Sequence, residues 1–501
     1  MSIKRLAGHT AIYGLSSVLG RVLYFILTPL YVRIFDTDVY GVVTDLFSFI
    51  GLALIFFTYR FETAYFRYAS DYTDKKGKVY DTALLSLVVS AALLAVLIFS
   101  LQRPIAEWFR YPEYTYLIGI AAGILCLDTV AEIPLSYLRL TNQSLKFATY
   151  RLIGIAVNIG LNLFFLLLCP YLLDRDIASP IINLVYSPDI GIGYIFISNI
   201  IASAVIVIML LPLIIKRRFD FDWPTWRNMM VYALPLIIVG LSFSINELLD
   251  RKIMIWLLPG SIEENKSVLG AYGACYKLTM ILALFTQAFR YGAEPFFFEQ
   301  KKAWGAQNLY ARVTKYYIII ALLGCLFTLL YLDQLKYILE PSYWLALGVI
   351  PILLLANLFN GIYYNISIWY RLKDKTIIGA GIASVGAFIT IVLNLWWLPI
   401  IGFWGAAWAT LICYGVMTVL CYVIGKKYYP VPYDMKAFFF YFIIAAGVYG
   451  LSVSVRPLSI DSALLGFLIN SMLFLAFILV VYIKEKEQIL GLLKQIKAKK
   501  A

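Results

Sequence analysis

Residues 376–425 read TIIGAGIASVGAFITIVLNLWWLPIIGFWGAAWATLICYGVMTVLCYVIG, bracketed by RLKDK at 371–375 and KKYYPVPYD at 426–434. The bracketed stretch holds no Asp, Glu, Lys, Arg or His. A helix crossing a bilayer takes about 20 mostly apolar residues, so the stretch accommodates two spans, 376–400 and 402–424. It is continuously apolar and does not alternate over ten-residue segments, which selects helices over barrel strands. The small residues Gly402, Gly405, Ala406 and Ala407 permit close helix contact there.

Working outward, twelve further runs of this kind occur: 10–34, 39–60, 81–102, 114–138, 147–171, 191–215, 229–250, 268–292, 312–332, 343–369, 437–456 and 461–483. Polar stretches such as SDYTDKKGK (70–78) and KRRFDFDWP (216–224) separate them. The expected fold class is therefore an all-α polytopic membrane protein with fourteen transmembrane helices. The longest connecting stretches, 172–190 and 293–311, are loop-sized. The first run shows no small-residue cleavage site and reads as a membrane helix, not a removable signal.

Composition agrees. The 501 residues are 62% hydrophobic, 16% aromatic and only 14% charged, with a mean hydropathy of +0.82. So little polar surface excludes a soluble enzyme or nucleic-acid binder. The net charge of +13 then reads as the Lys/Arg excess of cytoplasmic loops, with no nucleic-acid partner. With the N-terminus inside, 29 Lys and Arg fall in inside segments and 9 outside, the latter including Arg251 and Lys252; both termini are then cytoplasmic. Arg21, Arg60, Lys277 and Arg290 fall within runs. The six cysteines (Cys126, Cys169, Cys275, Cys325, Cys413, Cys421) sit in apolar segments without metal spacing and read as small buried hydrophobes. His9 is the single histidine, so His-based metal and triad sites are excluded, and no metal site is expected. No Walker motif occurs.

The chain repeats internally. Tyr40-Gly41 (VYGVVTDLF) recurs as Tyr272-Gly273 (AYGACYKLT), Arg139-Leu140 as Arg371-Leu372, and Asn162-Leu163 as Asn394-Leu395, each at an offset of 232 residues. The shared register indicates two six-helix halves of the same orientation, related by an axis along the membrane normal, with a cavity between them. The expected organisation is an N-terminal lobe (1–228), a C-terminal lobe (229–430), an extra transmembrane hairpin (431–483) and a basic amphipathic cytoplasmic tail (484–501) lying on the inner leaflet.

This layout, with the strings SSVLGRVLYFILTPLYVRIF (16–35), YALPLII (232–238) and LNLWWLPIIGFWGAAWAT (393–410), resembles the polysaccharide transporter branch of the multidrug/oligosaccharidyl-lipid/polysaccharide (MOP) exporters. The resemblance spans nearly the whole chain. It implies a Wzx-type flippase of the bacterial inner membrane, moving undecaprenyl-pyrophosphate-linked oligosaccharide units by alternating access for O-antigen, capsule or exopolysaccharide synthesis. Membrane lipids, and a polysaccharide polymerase with its chain-length machinery, are the implied partners. The string YRFETAYF (59–66) also resembles the cationic cavity of the lipid II flippase. The hairpin, which the repeat does not require, offers an apolar groove for the polyprenyl tail or a shield for the second lobe.

Charges inside spans are costly and are functional candidates. Arg21, Arg60, Lys277 and Arg290 are candidate pyrophosphate-binding cations, since a guanidinium presents fork geometry to phosphate oxygens. Asp45 and Lys277 occupy equivalent repeat positions and are expected to close an outward gate as an ion pair, or each to be satisfied in its own half. Glu62 and Glu294, near Arg60 and Arg290, are gate or ion-coupling candidates; the alternative is snorkelling at the inner interface. Asp128 and Glu132, one turn apart, read as a proton or sodium site, or as counter-charges to Arg21 or Arg151. Asn158, Asn162 and Asn394 are polar cavity or packing residues. No cofactor is expected beyond coupling to a proton or sodium gradient, and no catalytic residue. The alternative is a cation-coupled antiporter of drugs or other amphiphiles. A glycan ligase or polymerase would need a larger extracytoplasmic loop than 172–190.

Overall fold

A computed structural model describes residues 19, 25–71, 76–141, 143–177, 179–215, 220–299, 305–373, 375–455 and 463–498. Among these the chain is helical, with no strand. Twelve helices are long and apolar enough to cross a membrane, thirteen when one bent pair counts as a single span. We number the elements α1 (Phe25–Ile34), α2 (Thr37–Ala69), α3 (Gly77–Ser100), α4 (Pro112–Leu140), α5 (Ser144–Asp174), α6 (Gly193–Ile215), α7 (Trp223–Leu257), α8 (the pair Ile262–Leu278 and Met280–Arg290, bent by 48°), α9 (Ala306–Leu330), α10 (Pro341–Leu372), α11 (Thr376–Ile401), α12 (Phe403–Tyr428), α13 (Met435–Val455) and α14 (Leu464–Lys486). Most of the expected first span, 10–34, lies outside the described residues, so a count of fourteen spans is not decided.

The repeat is visible in the packing. In the first lobe α3 packs on α4, α4 on α6, and α6 on α5; in the second α9 packs on α10, α10 on α12, and α12 on α11. Shifting each helix number by six converts one set into the other. Asn162 and Asn394 are both fully buried, and each donates from Nδ2 to the carbonyl four residues back, Asn158 O at 2.8 Å and Thr390 O at 2.7 Å. Tyr31 of α1 also donates to Asn162 Oδ1 at 2.9 Å.

The lobes meet where α2 runs beside α7 and α8. A side chain on Gly41 would fall on the Lys266 carbonyl, and one on Gly270 on the Thr37 carbonyl. Glycine at both positions lets the backbones touch, the close-approach device of membrane helices. This crossing lies near the start of both helices, at the face opposite the Lys/Arg-rich loops. We call these two faces the far side and the basic side.

Three expectations change. The helix α7 extends to Leu257, with apolar IMIWLL continuing to Pro259, so Arg251 and Lys252 lie in the span and not outside it. It also begins at Trp223, and Met229 and Ala233 pack with Tyr59, Phe61 and Tyr65 of the first lobe, so a boundary at 229 cuts through a helix that serves both lobes. The tail does not start a new helix. Helix Ala463–Ala498 runs on past 483, because KEKEQIL contains no Gly or Pro to stop it.

The hairpin α13–α14 leans on α9. On the basic side Lys315 of α9 meets Glu485 at 2.7 Å, and Tyr441 of α13 donates to the same carboxylate at 2.7 Å. Toward the far side Asn470 donates to the Leu330 carbonyl at 2.7 Å and accepts from Ser452 at 2.7 Å.

Candidate functional site

The line of contact between the lobes carries most of the in-span charges. On the far side, Asp45 of α2 is buried, and its Oδ2 accepts from Lys252 Nζ of α7 at 2.7 Å and from Tyr111 Oη at 2.9 Å. Lys252 Nζ also lies 3.0 Å from the Phe109 ring centroid. Lys266 of α8 bonds Glu113 at 3.0 Å, and Thr37 meets Ser267 at 2.5 Å. Tyr111, buried out of water and beside the Asp45 carboxyl group, has its phenol pushed well above the usual range and stays a donor. The partner of Asp45 is thus Lys252 and not the expected Lys277. Positions equivalent in the repeat sit across a pseudo-symmetry axis, which brings α7 as well as α8 against α2. Lys277 instead lies 5.5 Å from the Tyr40 ring.

On the basic side, α2 kinks at Tyr59 and Arg60, both left-handed with φ of 32° and 57°. Such residues cost about 1–2 kcal/mol each without a glycine. Ser86 anchors the Tyr59 hydroxyl at 2.6 Å. The kink turns Arg60 toward α7, where its guanidinium lies against Gly240 and 4.0 Å from Glu62. Glu62 and Glu132 of α4 lie in electrostatic reach of each other, with Arg60, Arg139 and Arg151 nearby.

Asp128 does not join that pair. Its Oδ1 accepts from Ser203 of α6 at 2.7 Å, with Arg151 in electrostatic reach. Four residues advance a helix about 40° beyond a full turn, enough to aim Asp128 at α6 and Glu132 at α2. Arg290 Cζ lies 4.9 Å from the Tyr364 ring. Arg21 lies outside the described residues, as does the side chain of Glu294. Asn158 is buried beside Asn162, its Oδ1 3.2 Å from Asn162 Nδ2, a packing role.

Sequence reasoning missed Lys252, Arg251, Glu247, Tyr111 and Glu485. The first two follow once α7 is carried to the Pro259-Gly260 stop; Tyr111 and Glu485 act through contacts 66 and 44 residues away in sequence.

A family model described as polysaccharide biosynthesis protein matches residues 6–294. The chain belongs to that family. This polysaccharide biosynthesis protein shares its fold with the lipid II flippase MurJ in an inward closed conformation (TM-score 0.71, 15% identity, 95% of this chain and 99% of that one). It is also similar to the MATE multidrug transporter DinF-BH (TM-score 0.57, 15% identity, 88% and 97%) and a Vibrio cholerae MATE transporter (TM-score 0.54, 13% identity, 85% and 98%). No curated protein matches the sequence. The fold is the one these multi-pass transporter structures have.

Proposed function

We propose that the protein is a flippase of the bacterial inner membrane, with the basic side cytoplasmic, that carries an undecaprenyl-pyrophosphate-linked oligosaccharide between leaflets by alternating access. The observation that carries this reading is the left-handed Arg60 at the kink of α2, whose guanidinium lies against Gly240 of α7. A non-glycine residue held in this costly conformation inside a span fits a functional position, and a fork-shaped guanidinium suits pyrophosphate oxygens. Arg60, Lys277 and Arg290, with Arg21, hold the head group. The far-side contacts of Asp45 with Lys252 and of Gly41 with Lys266 close the outer exit while the head group loads.

The tail stays in apolar surroundings. A cavity of about 300 Å³ lies among α9, α10, α12 and α13, lined by Ile318, Phe359, Ile362, Val419, Phe438 and Phe439. It suits part of a polyprenyl chain. Transport is coupled to protons through Glu62 and Glu132, two acids in electrostatic reach of each other. The same acidic pair is the one observation that favours the second reading, a cation-coupled antiporter. Glycan polymerase and chain-length machinery receive the product.

The test is export in cells lacking the protein. Arg60→Gly removes the cation while relieving the left-handed backbone, so protein levels hold and glycan export is lost. Full export by Arg60→Gly would refute the head-group role. Loss of drug export, with glycan export intact, would support the antiporter instead.

A further inference from the structure

Consecutive residues of α7 face different lobes. Lys252 turns to Asp45 in the first lobe. Arg251, about 100° round the helix, turns into the second, where its Cζ lies 4.0 Å from the Tyr276 ring centroid. Its Nε is buried without a hydrogen-bond partner. The adjacent Asp250 does not neutralise it in an ion pair among the described residues. That carboxylate accepts from Tyr272 Oη at 2.9 Å and from the Arg251 backbone N–H at 2.8 Å.

Glu247 stands one turn back from Arg251, in mid-span and exposed. It lies in electrostatic reach of Arg251, Tyr276, Tyr364 and Tyr414. Those neighbours come from α7, α8, α10 and α12, which puts Glu247 beside the elements of the second lobe. Tyr364 in turn carries Arg290 4.9 Å from its ring. The result is a surface of tyrosine faces with one carboxylate, one orphaned guanidinium nitrogen and several phenol hydroxyls.

No purely anionic or apolar ligand suits it. Pyrophosphate would meet the Glu247 carboxylate, and a hydrocarbon tail would strip water from charges with nothing in exchange. A sugar ring fits both features. Its C–H face lies on a tyrosine ring, its hydroxyls donate to Glu247, and its oxygens accept from Arg251 Nε and the phenols. The order along the protein also fits. Arg290 is toward the basic side and Arg251 and Tyr276 toward the far side, as pyrophosphate and then glycan follow the tail in a lipid-linked oligosaccharide.

We propose that Glu247, Arg251, Tyr276 and Tyr364 form a subsite in the second lobe for a hexose ring of the transported glycan. This rests on the flippase reading above. The test uses the full-length protein in nanodiscs and two lipids: synthetic undecaprenyl pyrophosphate, and the glycan-bearing lipid extracted from cells lacking the polymerase. Wild-type protein should bind the glycan-bearing lipid more tightly. Glu247→Gln should weaken that binding about tenfold, the scale of one lost hydrogen bond to a charged group, and leave binding of undecaprenyl pyrophosphate unchanged; Tyr364→Leu, whose ring also meets Arg290, should weaken the glycan-bearing lipid more than undecaprenyl pyrophosphate. Tyr364→Phe, which keeps the ring, should lose less. Arg60→Gly should weaken both lipids alike. Equal weakening of both lipids by Glu247→Gln, or no change in either, would overturn the subsite, as would wild-type protein that binds the two lipids equally. Wild-type protein that binds neither lipid better than a neutral phospholipid would overturn the flippase reading and the subsite with it.

Discussion

Lys252 of α7 places its ammonium 2.7 Å from the Asp45 carboxylate of α2, with Lys252 11% and Asp45 1% exposed. This is the one buried ion pair between the two lobes among the described residues, and its partners lie 207 residues apart. Bringing two charges out of water is costly, and their attraction repays this only when extra hydrogen bonds satisfy them. Tyr111 adds a hydrogen bond to the same Oδ2 and the Phe109 ring faces the ammonium, while Asp45 Oδ1 has no hydrogen-bond partner.

Breaking one partner should be far worse than removing both. Lys252→Met or Asp45→Asn alone leaves a buried group without its partner, at about 3–5 kcal/mol. The double variant Asp45→Asn/Lys252→Met should recover much of the loss. A thermal-shift double-mutant cycle in detergent reads this coupling; additive losses would show that the two side chains do not depend on each other.

The glycine crossing gives a steric prediction. Gly41→Val or Gly270→Val forces a side chain against the partner carbonyl, so α2 and α8 cannot close. A cysteine placed at Ser267 should then react faster with a membrane-impermeant maleimide added to the far side. Labelling no faster than in the parent cysteine variant would mean that the crossing accommodates the added side chain without opening.

The hairpin should depend on Glu485. Glu485→Ala removes the acceptor that Lys315 and Tyr441 share and should lower Tm through the loss of those charge-assisted hydrogen bonds. Lys315→Met/Glu485→Met, which replaces the pair by apolar side chains, should restore Tm toward wild type.

For the carboxyl pair, Glu132→Gln keeps the size of the side chain but removes the exchangeable acid. Under the proton-coupled reading, substrate exchange between equally loaded membrane faces should persist in proteoliposomes, while accumulation driven by a pH gradient is lost. Gradient-driven accumulation at the wild-type rate would rule out Glu132 as the coupling acid.

Much of the fold was legible in one dimension. Continuous apolar runs of bilayer length fix where helices lie, and the Tyr-Gly, Arg-Leu and Asn-Leu pairs at a common offset disclose the two lobes, because a duplicated half preserves the residues that its own packing needs. Asn162 and Asn394 show this directly, since each bonds within its own helix. Arg60 and Glu62, close in sequence, are also close in space, 4.0 Å apart. What the sequence did not determine are pairings across the pseudo-symmetry axis. Asp45 could meet Lys277 by repeat position, yet tertiary packing brings it Lys252. Glu132 turns to Glu62 while Asp128, one turn away, turns to Ser203. Glu485, beyond the last apolar run, becomes a buried partner of Lys315. Hydrophobic burial along a single helix is a local property that composition encodes. Which charge meets which is set by the rotation of each helix and the side from which its neighbour approaches, and those exist only once the lobes have packed.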